Sequence, residues 1–127
     1  MIQNYFNRIK AQIDQYTATS FVLDANVSFE TRPGEQGYLA GSITLVDGSI
    51  LHFTEFLDAV KETVDKLMYT YHYQDASNQL IFRYDNARHR PLLHSLDHKH
   101  TPEQVVETLA PTLEDVLAEI AMVKGWV

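Results

Sequence analysis

The sequence predicts a single α+β domain, residues 1–127, in which an antiparallel sheet of about five strands, built as two hairpins, is flanked by an N-terminal and a C-terminal helix. Three observations carry this reading. Apolar residues recur at helical spacing near the two ends of the chain, the centre has the β-rich text of strands, and turn residues interrupt that text where hairpins need them. The order α-β-β-β-β-β-α, with no internal repeat, low-complexity stretch or linker, then favours one sheet covered on one side by the terminal helices.

Ile2, Tyr5, Phe6, Ile9, Ile13 and Tyr16 mark one face of a helix over residues 2–17. From Phe21 the text FVLDANVSFETR reads as a strand, ended by Pro33-Gly34 and Gly37. YLAGSITLV and SILHFTEFL follow on either side of Asp47-Gly48, a dipeptide suited to the positive φ of a tight hairpin turn. Residues 58–66 fit either a short helix or two strand ends around a loop. LMYTYHYQ and QLIFRYD flank DASN as the second hairpin. Pro91, Pro102 and Pro111 predict an irregular loop over residues 86–101, and residues 103–109 suit a short helix or a strand. Thr112, Asp115 and the stripe Leu113, Val116, Leu117, Ile120 and Val123 define the closing helix, which stops at Gly125.

The chain contains no cysteine, so disulfides, thiolate metal sites and a cysteine nucleophile are excluded, and a reducing cytoplasm is the expected location. No apolar run approaches the roughly 20 residues of a membrane span, and the start lacks the apolar core of a signal peptide. A net charge of −7 argues against broad coating by nucleic acid. The charge is uneven, however: Arg83, Arg88, Arg90 and Lys99 face only Asp85 and Asp97 between residues 83 and 100, a net +2 that leaves −9 for the remainder. His89, His94, His98 and His100 share that segment. An acidic body with one cationic, histidine-rich stretch points to a local anion site.

Pairing Gln74 with Gln79 would set Tyr73 opposite Leu80, Tyr71 opposite Phe82 and Tyr69 opposite Tyr84 on the core side. Thr70, His72 and Gln74 would then share the other side with Ile81, Arg83 and Asp85. Imidazoles can exchange protons near neutral pH, and guanidinium or ammonium groups can hold a phosphate, which together suffice for metal-free RNA cleavage. The candidate catalytic residues are therefore His72, Arg83, Asp85, His89, His98, Lys99 and His100, with Gln74, Asn86, Arg88 and Arg90 as substrate contacts. The tyrosines at 69, 71 and 73 are read as core packing. His52 stands alone and receives no role. A competing reading is a non-catalytic module that binds a metal or a partner, since His94, His98 and His100, with His89 or an aspartate, offer nitrogen and oxygen ligands. No HExxH, phosphate loop or GxSxG elbow is present, and no cofactor is assigned. A third reading is a structural domain whose sheet edge forms a homodimer.

The run YHYQDASNQLIFRYDNARH, followed by HKH and PTLEDVLAEI, resembles the TumE-type toxins of bacterial toxin–antitoxin systems. The likeness begins at about Gly41 and is most specific from Tyr71 to His100. The resemblance implies a toxin with a cognate, DNA-binding antitoxin as its partner and RNA or translation as its target. The matching polar positions are His72, Gln74, Arg83, Asp85, Asn86, His89, His98, Lys99 and His100.

Overall fold

The computed structural model describes residues 1–87 and 96–127. Helix α1 (Ile2–Thr17) leads into strands β1 (Val22–Arg32), β2 (Gln36–Leu45), β3 (Ile50–Val60), β4 (Thr63–Gln74) and β5 (Leu80–Asp85). Two short strands follow, β6 (His98–His100) and β7 (Val105–Glu107), before helix α2 (Leu113–Val123). Among the described residues, seven strands form one antiparallel sheet in the order β1-β2-β3-β4-β5-β6-β7. The α+β architecture with a helix at each end agrees with the sequence, but five strands understates the seven found. Residues 58–66 are the ends of β3 and β4 around a turn in which Lys61 adopts φ 56°.

The helices sit on one face. Ile2, Phe6, Ile9 and Ile13 of α1 and Leu113, Val116, Leu117, Ile120 and Ala121 of α2 join a core with Leu39, Ile43, Leu51, Phe53, Tyr71 and Phe82 of the sheet. Thr112 caps α2 through a reciprocal pair of 3.0 Å hydrogen bonds with Asp115. Its other end closes through Gly125 at φ 72°, which lets the Gly125 and Trp126 amides donate to the Met122 and Ala121 carbonyls and stacks Trp126 on Phe21.

The tyrosine rings are core, as alternation requires, and each hydroxyl has a partner. Tyr69 donates to Asp97 (2.7 Å), Tyr71 to Glu55 (2.6 Å) and Tyr84 to Glu119 (2.6 Å), while Tyr73 shares a hydrogen bond with Ser49 (2.8 Å). Glu55 is 1% exposed and also accepts from Tyr5 of α1. Lys66 donates to the Tyr71 hydroxyl and to the Pro111 carbonyl, both at 2.6 Å, which ties the start of α2 to the same cluster. Burial pushes the Tyr5 and Tyr71 phenols up, and the Glu55 charge and hydrogen bonds add to it, so both remain donors.

The second hairpin departs from the expected register. Asp75 accepts from the Ser77 and Gln79 amides, and the Asp75 amide donates to the Gln79 carbonyl, so the turn occupies residues 75–79 and pairs Gln74 with Leu80 rather than Gln79. That slip of one would invert every side chain of β5. A bulge between Tyr73 and Gln74 absorbs Ile81, however, and the ladder resumes with Tyr73 opposite Phe82, His72 opposite Arg83 and Tyr71 opposite Tyr84. Two one-residue shifts add to an even number, so Tyr73, Tyr71 and Tyr84 keep the core side. The irregular loop expected over residues 86–101 is also corrected. His98 to His100 pair with β5, and Pro102 lies in the turn beyond, where the Thr101 amide bonds the Gln104 carbonyl.

Gly41 lies between Val27 and Phe53 across the ladder, and a Cβ there would come 2.3 Å from the Asn26 carbonyl and 2.7 Å from the Phe53 ring. Replacing Gly41 by Val is expected to force β1 and β2 apart and cost about 2 kcal/mol, read as a lower urea midpoint in equilibrium unfolding.

Candidate functional site

The face of the sheet turned away from the helices carries the candidate chemistry. Alternation in β3 sends Leu51, Phe53, Glu55 and Leu57 inward and leaves His52, Thr54 and Phe56 on the far side. Cross-strand pairing then builds a continuous row: Ser42 opposes His52, His52 opposes His72, His72 opposes Arg83, and Arg83 opposes His100. A second row runs parallel to it through Thr54, Thr70, Asp85 and His98. Antiparallel partners stand roughly 5 Å apart, so side chains along each row touch their neighbours.

Arg83 links the two rows. Its Nε donates to Asp85 Oδ2 at 2.9 Å and its Nη1 lies 3.4 Å from His72 Nδ1. His100 Nε2 is 3.3 Å from the other carboxylate oxygen, Oδ1, and His98 Nδ1 is 4.0 Å from it. The His52 and His72 ring centroids are 6.5 Å apart. Asp85 and His98 are 4% and 1% exposed, whereas His52 is exposed and His72 half-buried. The first row thus runs from exposed His52 to half-buried His72 and His100, and the second ends in buried Asp85 and His98.

Burial lowers the His72 pKa from its ordinary 6.5, and the charges of Arg83 and His52 lower it further against an opposing hydrogen bond with Gln74. His72 is consequently neutral at physiological pH, with a lone pair available to take a proton. Burial alone would raise the Asp85 carboxyl, but the hydrogen bonds and charges of Arg83 and His100 prevail and hold it below the usual carboxylate range. Asp85 thus stays ionised between a guanidinium and an imidazole.

His72, Arg83, Asp85, His98 and His100 come together on one face. Gln74 shares the face with His72 on β4 and donates to Asn78 at 2.9 Å. Lys99 is elsewhere. It opposes Tyr84, so alternation points it toward α2, where its Nζ donates to Glu119 at 2.8 Å over the Phe82 and Tyr84 rings. Asn86 serves the backbone, accepting from the Tyr69 amide at 3.1 Å and donating to the Leu67 carbonyl at 2.8 Å. Arg88, His89, Arg90 and His94 lie outside the described residues. His52, given no role from the sequence, joins the row because β3 runs straight into β4 and sets the two histidines opposite each other.

A family model described as Toxin TumE matches residues 10–124. The chain belongs to the TumE toxin family. The match spans every member of both rows, so the candidate site of this TumE chain lies inside the family's common region. Comparison with curated proteins and with solved structures gave no match. Among the described residues, no helix of the TumE chain is long and apolar enough to cross a membrane.

Two outcomes test the geometry. With the folded pKa of His72 below 6.5, the unfolded chain binds more protons in the interval between the two values. The stability contributed by neutral His72 is therefore complete above 6.5 and is lost as pH falls through the folded value. NMR titration of the ring should give a midpoint below 6.5 that rises on replacing Arg83 by Ala. Replacing Asp85 by Asn should cost about 2 kcal/mol in chemical unfolding, because Arg83 and His100 lose their charged acceptor.

Proposed function

We propose that this TumE family member is the toxin of a bacterial type II toxin–antitoxin pair and that it cleaves RNA by proton transfer between imidazoles. The supporting observation is the row of His52, His72 and Arg83 on the face away from the helices. As Arg83 Nη1 turns from His72 Nδ1, 3.4 Å away, to the phosphate, the His72 nitrogen takes the proton of a ribose 2′-hydroxyl, and the oxygen attacks the adjacent phosphorus. The bond from phosphorus to the 5′-oxygen breaks, and His52, as imidazolium, gives its proton to the departing oxygen. The products are a 2′,3′-cyclic phosphate and a 5′-hydroxyl. Arg83 holds the phosphoryl oxygens and offsets the charge that develops on them. Asp85 positions Arg83, while Lys99 braces β6 against α2.

The same face offers a place for the bases. Tyr38, Phe56 and Met68 form a third cross-strand row, with the Arg32 guanidinium 5.1 Å and 5.5 Å from the Tyr38 and Phe56 ring centroids. Phe56 lies four positions from His52, roughly 13 Å along the strand, within reach of a single strand whose phosphate rests on Arg83. The net charge of −7 suits a target gripped locally, through Arg83 and stacking. The partner is a DNA-binding antitoxin that neutralises the toxin in the cytoplasm.

Expression of the wild-type chain without its antitoxin should arrest growth and generate RNA fragments ending in 2′,3′-cyclic phosphate. His72→Ala and Arg83→Ala, each folded by circular dichroism, should abolish both effects. Growth arrest that persists in these variants, or arrest without such ends, overturns the reading.

A further inference from the structure

Asp85, His98 and His100 form a cluster that takes no part in proton transfer at His52 and His72, although Asp85 also holds Arg83 in place. Each offers one ligand atom, and the three atoms lie within 4.8 Å of one another. We propose that these residues bind a divalent transition ion, zinc foremost, at the junction of β5 and β6.

The carboxylate is arranged for one-oxygen coordination. Arg83 Nε occupies Oδ2 at 2.9 Å, while Oδ1 faces the two imidazoles. A tetrahedral zinc ion with bonds of about 2.0–2.1 Å spaces its ligand atoms by about 3.4 Å. The 3.3 Å from His100 Nε2 to Asp85 Oδ1 already matches that spacing, whereas the His98 ring, its Nδ1 4.0 Å from Oδ1 and all three ligand atoms within 4.8 Å, must draw in as the ion binds. The ligands come from adjacent paired strands, Asp85 directly opposite His98, so the ladder fixes their separation before the ion arrives. His98 at 1% exposed and Asp85 at 4% give the shielded setting in which coordination competes well with water.

The donor set selects the metal class. Two imidazoles and one carboxylate suit zinc and neighbouring first-row ions, whereas magnesium and calcium demand oxygen ligands. Three protein ligands leave a fourth position open to water or to an anion. Coordination requires a lone pair on His100 Nε2, so any proton it carries moves to Nδ1 or to solvent as the ion enters. Arg83 then supports the bound carboxylate from behind, the arrangement expected of a group that orients a metal ligand.

The test does not depend on RNA. The full-length protein, stripped with a chelator, is titrated with zinc chloride by calorimetry and with cobalt(II) by visible absorption. One equivalent should bind, with X-ray absorption showing two imidazoles in the first coordination sphere. His52→Ala and His72→Ala should bind as the wild type does. His100→Ala and Asp85→Asn, each checked for folding by circular dichroism, should weaken binding at least tenfold. Thermal midpoints should rise with added zinc in the wild type and stay flat in His100→Ala. Absence of stoichiometric binding overturns the proposal. So does zinc affinity that survives His100→Ala, or that is lost only on replacing His89 and His94. If RNA cleavage fails while zinc binds as described, the toxin mechanism falls and the metal site stands; the converse outcome separates them equally well.

Discussion

Period-two alternation across four adjacent strands, β3 to β6, is the constraint from which the rest of this molecule follows: the side chains that pairing sends inward pack with the two helices, and those it sends outward line up in rows across the sheet. Along β4 the residues alternate Tyr69, Thr70, Tyr71, His72, Tyr73 and Gln74, and the buried fraction alternates with them. The rings anchor the sheet to α1 and α2, and the intervening residues contribute to rows that cross the sheet. A row assembled in this way is held by the pairing of the strands themselves. Its rigidity is that of the backbone ladder, and its composition is set by a single choice of side at each strand.

Both faces use a buried carboxylate as an organiser. On the helix side, Glu55 gathers Tyr5 and Tyr71, with Lys66 joining the cluster through the Tyr71 hydroxyl and the Pro111 carbonyl. On the opposite side, Asp85 gathers Arg83 and His100. An uncompensated buried charge is costly, so such groups persist only where donors surround them. The two clusters have different consequences. Glu55 and its tyrosines join elements that are distant in sequence and fix the fold, whereas Asp85 joins neighbouring strands and fixes a guanidinium beside an imidazole.

The faces of β4 and β5 were legible in the sequence because hydrophobic alternation specifies sides strongly. The exact pairing was not. The Asp75 turn and the Ile81 bulge each shift it by one, and no pattern of hydrophobicity distinguishes zero shifts from two. His98 to His100 looked irregular because three residues near prolines carry little strand signal, and their partner strand is what makes them a strand. That same pairing sends Lys99 to the helix side, which charge counting alone could not reveal. His52 was hidden for a related reason: residues 58–66 were unresolved between helix and strand, so the alignment of β3 with β4, and hence of His52 with His72, could not be read. Alternation in SILHFTEFL does place His52 opposite to its apolar neighbours, which is the signal that was present. The terminal helices, with their stripes and the Thr112 cap, were plain.

The sheet is a pure meander, each strand pairing with the one made just before it. Such a sheet can accrete in the order of synthesis, with every new strand finding its template already present and little loop entropy to overcome. Helix α2 follows all of these strands in the chain, and its Glu119 accepts from the Tyr84 hydroxyl. The His52, His72 and Arg83 row therefore rests only on pairings between strands that follow one another directly in the chain.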